Sequence, residues 1–281
     1  MIYISSKKLG TILRSCTALF LTILSARIQG ANLIFDLGGV LTDTKKREAC
    51  SQIGLFNLAC YGGSPRNLFF EYLDSIVPHD PKVPITCDET GSVLPQLMYD
   101  WMTNSKTHTE IADIIYKAAE KDTQLGSIKR KIIINMARMI FGDLEAFIKT
   151  KRIVKGGFDF ALECKQAGHK IFILSNWDTA SWELMKIYFP SFIKAFDGIV
   201  ISGEVKLMKP DPAIFKFILE QYGLDPQKTV FIDDQLENIR VAQRLGLHCI
   251  KCPRKGIRGI PDFKQVKKEF GSWLRAGKHR Y

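Results

Sequence analysis

The chain has 281 residues, of which 46% are hydrophobic and 25% charged, and its formal net charge is +11. This length and composition suit an α/β protein with one large or two small domains and exclude a fibrous or broadly disordered chain. Residues 251–281 alone contribute +8, from ten basic and two acidic side chains, so the nearly neutral body argues against a nucleic-acid-binding surface, whereas the basic tail would favour an anionic one.

The first thirty residues have the pattern of a secretory signal peptide. A basic head with Lys7, Lys8 and Arg14 precedes the apolar run 16–24, and small residues follow as far as Gly30. The run is too short to span a bilayer comfortably, and no later segment looks transmembrane. We therefore expect export to a periplasmic or extracellular location; the alternatives are the N-terminal helix of a cytoplasmic protein or an uncleaved anchor.

Short apolar runs predict the strands of the core. Five such runs lie at 32–35, 170–174, 198–201, 229–232 and 247–250. Continuous apolar runs are typical of parallel strands that are covered on both faces. Helical patterns follow the later strands or precede them, at 158–167, 179–188, 212–222 and 235–245. This alternation predicts a doubly wound, Rossmann-like parallel sheet with βαβ crossovers.

One long segment, residues 46–152, interrupts the alternation. Its amphipathic patterns predict helices at 67–76, 93–102, 109–121 and 127–150. We interpret it as an all-helical cap domain inserted into a core made of residues 31–45 and 153–252. Residues 253–281 form a basic tail in which Phe263, Val266, Phe270, Trp273 and Leu274 share one helical face, and this face is expected to dock onto the core.

Carboxylates follow two of the predicted strands. Asp36 ends the first strand within the motif FDLGGVL (35–41), and Asp233 and Asp234 end the fourth, with Asn238 four residues after Asp234. The carboxyl ends of parallel strands meet at one edge of a sheet, where open α/β folds bind ligands. A carboxylate there is able to attack phosphorus, and a group of carboxylates suits a hard cation.

Two further motifs lie near the ends of other strands. Ser175 and Asn176 follow the second strand within LSNWD (174–178) and offer hydrogen bonds to anionic oxygens. Lys209, within KPDP (209–212), offers a cation that would offset the charge on a nucleophile and a phosphate. Taken singly, each of the four motifs is better explained by a structural role, such as a helix cap or a solvated turn, so only their joint order points to a site.

The order of these four motifs resembles the haloacid dehalogenase superfamily, in particular its phosphatase-like subgroup with a helical cap between the first and second motifs. The resemblance covers residues 31–252 and is specific for the superfamily but not for a substrate. It implies a Mg²⁺-dependent hydrolase that forms an aspartyl-phosphate intermediate on a small phosphorylated metabolite.

The resemblance also assigns roles residue by residue. Asp36 matches the nucleophile, Lys209 matches the charge-stabilising lysine, and Ser175, with Asn176, matches the donors to the phosphoryl oxygens. The implied Mg²⁺ ligands are Asp36, the carbonyl of Gly38, Asp234 and, in support, Asp233.

Gly38 departs from the family pattern. Most phosphatases of the family have a second aspartate two residues after the nucleophile, which protonates the leaving oxygen and then activates water. Loss of a general acid or base typically costs about 10²–10⁴-fold in rate. Asp43 or a cap residue is a candidate substitute. The open alternatives are a catalytically silent phosphate-binding protein and a metal-independent dehalogenase of the same fold.

Several other residues of the core favour structural roles. Trp177 is expected to pack near the site entrance, and His169 and His248 to support strands. Cys249 and Cys252 have C-x-x-C spacing, which chance or a local pair explains better than zinc binding, because no second such pair exists.

Overall fold

A computed structural model describes residues 30–83, 93–255 and 259–277. The predicted signal peptide lies outside the described residues, apart from Gly30. Among the helices in these ranges, none combines the length and the apolar character that crossing a membrane requires.

The N-terminal half of the described chain contains two short strands followed by a series of helices. They are β1 (Asn32–Phe35), β2 (Thr42–Thr44), α1 (Lys46–Ile53), α2 (Leu55–Tyr61), α3 (Pro65–Ile76), α4 (Gln96–Met102), α5 (His108–Lys121), α6 (Ser127–Ala137), a π-helical turn (Arg138–Gly142) and α7 (Leu144–Lys149). The helices therefore account for most of the described residues in the segment predicted to be inserted.

Strands and helices alternate in the C-terminal half. They are β3 (Lys151–Ile153), α8 (Lys155–Gln166), β4 (Lys170–Ser175), α9 (Thr179–Tyr188), α10 (Pro190–Ile193), β5 (Gly198–Ile201), α11 (Ser202–Val205), α12 (Pro212–Tyr222), a 3₁₀ turn (Pro226–Lys228), β6 (Thr229–Asp233), α13 (Leu236–Arg244), β7 (His248–Lys251), β8 (Arg254–Lys255), β9 (Ile260–Pro261) and α14 (Phe263–Arg275). The alternation is that of a parallel α/β sheet.

The central sheet confirms the predicted fold class. Its five strands are all parallel in the order β5-β4-β1-β6-β7, and β1 lies between β4 and β6. The strands β4 and β6 each extend one residue beyond the predicted apolar run, to Ser175 and Asp233. Both of these polar residues are buried, and both lie at the carboxyl ends of their strands.

Alternating side chains of β1 bury against different layers, as expected for a sheet covered on both faces. Leu33 and Phe35 belong to a core cluster that contains residues of α8 and α14. Ile34 belongs to a separate cluster that contains residues of α12 and α13. The predicted docking of the C-terminal helix is confirmed, since α14 buries Phe263, Val266, Phe270 and Trp273 in the first of these clusters.

The described part of the segment between β2 and β3 is mainly helical, as predicted, but two of the predicted helices have different bounds. The predicted helix 93–102 begins only at Gln96, after Pro95, whose ring is unfavourable in a helix interior. The predicted helix 127–150 is broken by the π-helical turn and by Asp143, which caps α7 by accepting a hydrogen bond from the Ala146 amide. Helices α1 and α2 were not predicted.

The helical segment has a hydrophobic cluster of its own, which includes Trp101, Ile111, Ile115 and Phe141. Its two ends are joined by an antiparallel ribbon, β2 with β3, that pairs Thr42 with Ile153. The chain therefore leaves the core and returns to it at one place.

The residues predicted to be structural lie in packed positions. The Nδ1 atom of His169 accepts a hydrogen bond from the Ala31 amide at 3.0 Å, and the His248 ring stacks on Trp273 at 5.4 Å. Cys249 and Cys252 are free thiols rather than a disulfide pair, and burial raises the pKa of each to about 12.

Candidate active site

Three carboxylates meet at the carboxyl edge of the sheet. Asp36 directly follows β1, whereas Asp233 ends β6 and Asp234 directly follows it. Because β1 and β6 are paired neighbours, the ends of the two strands lie side by side. One carboxylate oxygen of each aspartate lies within 4.8 Å of one from each of the others, so the predicted convergence of these side chains is found.

Lys209 joins two of the three carboxylates. Its Nζ atom donates to Oδ1 of Asp36 at 2.7 Å and to Oδ2 of Asp233 at 2.8 Å, and the lysine is only 2% exposed. A buried ammonium with two anionic acceptors offsets the repulsion between them. It reaches the site from the loop between α11 and α12 rather than from the end of a strand.

The charges of this group perturb one another. Burial raises the pKa of Asp36 to about 7, and the charge of Asp233 adds to the increase, whereas Lys209 lowers it. For Lys209, burial lowers the pKa, but the two carboxylates raise it more strongly, so the net direction is upward. Lys209 therefore stays protonated at neutral pH.

The adjacent aspartates 233 and 234 have different surroundings. Asp233 accepts hydrogen bonds from Lys209, from Nδ2 of Asn238 at 3.0 Å and from the Gln235 amide at 2.8 Å. Asp234 has Arg254 as an ionic neighbour, with 3.6 Å between Nη1 and Oδ2. Asp233 is thus fixed by protein donors, which leaves Asp234 as the better-placed ligand for a cation.

Ser175 and Asn176 lie where the sequence predicted, but the Asn176 side chain has an additional partner. Ser175 is buried at the end of β4 and lines the same cavity as Asp36. The Asn176 amide donates to the Lys209 carbonyl at 2.9 Å and accepts from the Lys209 amide at 2.8 Å. Asn176 therefore holds the main chain of the lysine, a role that the sequence did not reveal.

The two glycines after Asp36 differ in the space around them. A Cβ atom at Gly38 would meet nothing within 4 Å, whereas a Cβ at Gly39 would lie 2.0 Å from Oδ2 of Asp234. Gly39 also has φ of +74°, a conformation that disfavours other residues. The glycine at 39 is thus required by close approach to Asp234, and the one at 38 is not required by packing.

A cavity of about 520 Å³ opens above these groups. Its wall includes site residues together with side chains that sequence analysis had not placed there: Leu94, Trp101, Met102, Phe147, Lys151, Met208 and Arg254. Four of these, Leu94, Trp101, Met102 and Phe147, come from the helical segment, whose orientation over the sheet no local sequence signal specifies. Trp177 lines the cavity and is nearly buried, as predicted.

Asp43, the candidate replacement acid, also lines the cavity but is engaged in ion pairs. Its carboxylate lies 2.8 Å from Nη2 of Arg152 and 3.2 Å from Nη2 of Arg254. Partial burial alone would raise its pKa, but the hydrogen bond with Arg152 and the charge of Arg254 hold the pKa below its usual range. Asp43 is therefore deprotonated at neutral pH and is a poor proton donor.

The group of carboxylates fits a hard divalent cation. Asp36, Asp233 and Asp234 supply oxygen atoms close to one another, and the Gly38 carbonyl belongs to the adjoining turn. Magnesium binds to carboxylate oxygens while retaining several waters, so a complete cage of protein ligands is unnecessary. The single positive charge of Lys209 offsets only part of the negative charge of the three carboxylates, and this remaining negative charge also favours binding of a cation.

A model of haloacid dehalogenase-like hydrolases matches residues 32–246 of the chain. Among solved structures, the chain is similar to a HAD family enzyme from Bacteroides thetaiotaomicron in complex with magnesium and inorganic phosphate. The TM-score is 0.55 at 23% identity, over 84% of this chain and 98% of that one. This likeness concerns the fold.

Curated relatives match shorter stretches. Acyl-CoA dehydrogenase family member 10 of Mus musculus is 40% identical over 95 residues, which are 29% of this chain and 9% of the relative. Sesquiterpene phosphatase astK of Aspergillus oryzae is 29% identical over 86 residues, 30% of this chain and 43% of the relative. The chain thus spans less than half the length of these curated relatives.

Proposed function

The chain belongs to the haloacid dehalogenase-like hydrolase family, and on this premise we propose that it is a Mg²⁺-dependent phosphatase acting on a small phosphorylated metabolite. The observation that carries the proposal is the position of Lys209, whose ammonium bridges Asp36 and Asp233 beside Asp234. A nucleophilic carboxylate, a fixed cation and an oxygen site for a metal are the parts that phosphoryl transfer requires.

Asp36 is the proposed nucleophile. Its carboxylate oxygen forms a bond to phosphorus while the bond from phosphorus to the ester oxygen breaks, which leaves an aspartyl-phosphate and an alkoxide that takes up a proton. Water then attacks the phosphorus atom and releases inorganic phosphate, which restores the Asp36 carboxylate. Splitting the reaction into two displacements is the usual benefit of covalent catalysis.

The neighbouring residues orient the phosphoryl group. Lys209 offsets the negative charge that Asp36 and the phosphate bring together, and Asn176 fixes the lysine main chain. Ser175, which lines the cavity, donates to a phosphoryl oxygen. Asp36, the Gly38 carbonyl and Asp234, supported by Asp233, would hold Mg²⁺, which supplies Lewis-acid stabilisation of the phosphoryl charge when bound.

Proton transfer to the leaving oxygen is the weak part of this site. Gly38 has no side chain to donate a proton, and the ion pairs of Asp43 keep that carboxylate deprotonated. Esters with good leaving groups need no such donor and are therefore expected to be hydrolysed faster than alkyl esters. The helical segment, as a cap domain over the core, would set the rest of the specificity, and export through residues 1–30 belongs to the same proposal.

Two observations support phosphate chemistry over the alternatives. The neighbouring structure from Bacteroides thetaiotaomicron binds magnesium and phosphate, and a relative is named as a phosphatase. A metal-independent dehalogenase would have no use for the clustered carboxylates of Asp233 and Asp234. A silent phosphate-binding protein of the same fold is the remaining alternative, and only turnover distinguishes it.

The test is hydrolysis of p-nitrophenyl phosphate by residues 31–281, with Mg²⁺ or with EDTA, beside the variants Asp36→Asn and Asp159→Asn. We expect turnover that needs Mg²⁺, that vanishes in Asp36→Asn and that survives in Asp159→Asn, an aspartate on α8 outside the cavity. A flat assay for the unaltered protein would favour the silent alternative, and full activity in Asp36→Asn would remove Asp36 from the mechanism.

A further inference from the structure

One part of the cavity wall is formed by aromatic and other apolar side chains. Three aromatic rings form a continuous series along it: Trp101 lies 5.6 Å from Phe147, and Phe147 lies 6.2 Å from Trp177, measured between ring centroids. The series begins on α4, continues on α7 and ends in the loop after β4. Leu94, Met102 and Met208 extend the apolar wall around it.

The aromatic rings are held in place by their neighbours. The Trp177 indole donates to Oγ of Ser181 at 2.7 Å, and its main-chain amide donates to Oγ of Ser202 at 2.9 Å. Trp101 is 4% exposed and packs edge-on against Phe141 at 4.9 Å. A wall that is formed before the ligand arrives costs little ordering entropy on binding, so its apolar area contributes to affinity.

The helical segment is anchored directly over this wall. The hydroxyl of Ser202, in the core, donates to the main-chain carbonyl of Met102 at 2.6 Å, at the end of α4. Trp101 and Met102 are therefore fixed relative to Trp177, whose main-chain amide donates to the same serine.

Resting on the proposed phosphatase function, we propose that the substrate is a phosphate monoester whose alcohol part is apolar, with a ring or branched hydrocarbon body packed against Trp101, Phe147 and Trp177. Asp36, Ser175 and Lys209 line the cavity where the phosphate would react. The wall also carries polar groups, among them Lys151, whose Nζ lies 4.0 Å from the Phe147 ring centroid and 5.8 Å from that of Trp177. A cavity of about 520 Å³ leaves room for such a body beyond the phosphate. A small hydroxylated part such as glycerol would bury little apolar surface against these three rings.

The test compares esters of primary alcohols, whose leaving groups are similar. In the full chain with Mg²⁺, kcat/KM for 2-phenylethyl phosphate should exceed that for glycerol 1-phosphate by about tenfold or more, the range that a hydrophobic pocket provides. In Phe147→Ser this ratio should fall at least several-fold. The matched control is Phe158→Ser, since Phe158 is a partly buried aromatic residue outside the cavity wall, and it should leave the ratio unchanged.

Binding measured without turnover separates this inference from the proposed function. Calorimetry with 2-phenylethylphosphonate and 2-hydroxyethylphosphonate, which cannot be hydrolysed, should show the same preference in the unaltered protein and its loss in Phe147→Ser. Apolar preference in binding without turnover of any ester would overturn the phosphatase and keep the apolar cavity. Turnover or binding that is equal for the two members of each pair, or that favours the hydroxylated member, would overturn the apolar substrate and keep the phosphatase.

Discussion

The Asn176 side chain hydrogen-bonds to both main-chain polar groups of Lys209, as donor to its carbonyl and acceptor from its amide. The lysine in turn places one ammonium between Asp36 and Asp233. A residue in the loop after β4 thereby sets the position of a cation that comes from another loop, and the alignment of nucleophile and cation depends on both.

Asn176→Ala should test this relationship. Loss of two hydrogen bonds leaves Lys209 main-chain groups unsatisfied, so we expect destabilisation of about 1–3 kcal/mol. Displacement of the ammonium should lower kcat by roughly 10- to 100-fold. Urea unfolding and phosphatase kinetics measure the two effects, and normal kcat in this variant would show that the lysine is positioned without Asn176.

Lys209→Met should lower both stability and activity. It leaves Asp36 and Asp233 buried side by side without their cation, and breaking such a buried pair typically costs about 3–5 kcal/mol. Turnover of p-nitrophenyl phosphate should fall to background because nucleophile and phosphate then repel. Lys216→Met, on the exposed side of α12, is the control and should change neither property. Unaltered thermal stability of the Lys209 variant would refute the argument.

Gly38→Asp should increase activity toward poor leaving groups. The site has open space for a side chain at residue 38, and an added carboxylic acid there would donate the missing proton, with a gain of up to about 10²-fold in kcat on alkyl phosphates. Gains on p-nitrophenyl phosphate should be small, since that leaving group needs little assistance. An equal change for both substrates would mean that the added group is not acting as an acid.

Substitution of alanine for Gly38 and for Gly39 should show which of the two glycines is required for stability. Gly38→Ala should leave the free energy of unfolding nearly unchanged, because the added methyl group meets nothing. Gly39→Ala should destabilise by more than about 1 kcal/mol, because of the positive φ and the approach to Asp234. Comparable unfolding midpoints for these two variants would contradict the geometry of the turn.

Magnesium should stabilise the folded protein through Asp234. An ion that binds only the folded state adds about 2.7 kcal/mol at a concentration 100 times its Kd, which raises Tm by several degrees. Asp234→Asn should abolish most of this rise, whereas Asp159→Asn should preserve it. Differential scanning fluorimetry with and without MgCl₂ measures the effect, and a full Mg²⁺-induced shift in Asp234→Asn would exclude that carboxylate as the main ligand.

The sequence predicted most of the polar residues of the site, because the carboxyl ends of parallel strands lie at one edge of the sheet. Asp36, Ser175 and Asp233 could each be placed by finding where an apolar run stops. Arg254 could not, since its approach to Asp234 depends on the turn that follows β7. The aromatic wall was also missed, because Trp101 and Phe147 lie on amphipathic helices whose tertiary orientation no periodicity specifies.

The ribbon of β2 and β3 has a consequence for how such a protein diversifies. The polypeptide leaves the core and re-enters it through Thr42 and Ile153, which are paired across the ribbon, so the ends of the span between them are held together. Insertions, deletions or wholesale replacement of that span need not disturb the register of the parallel strands. The catalytic residues at the edge of the sheet and the substrate specificity set by the helical segment are thus free to evolve separately.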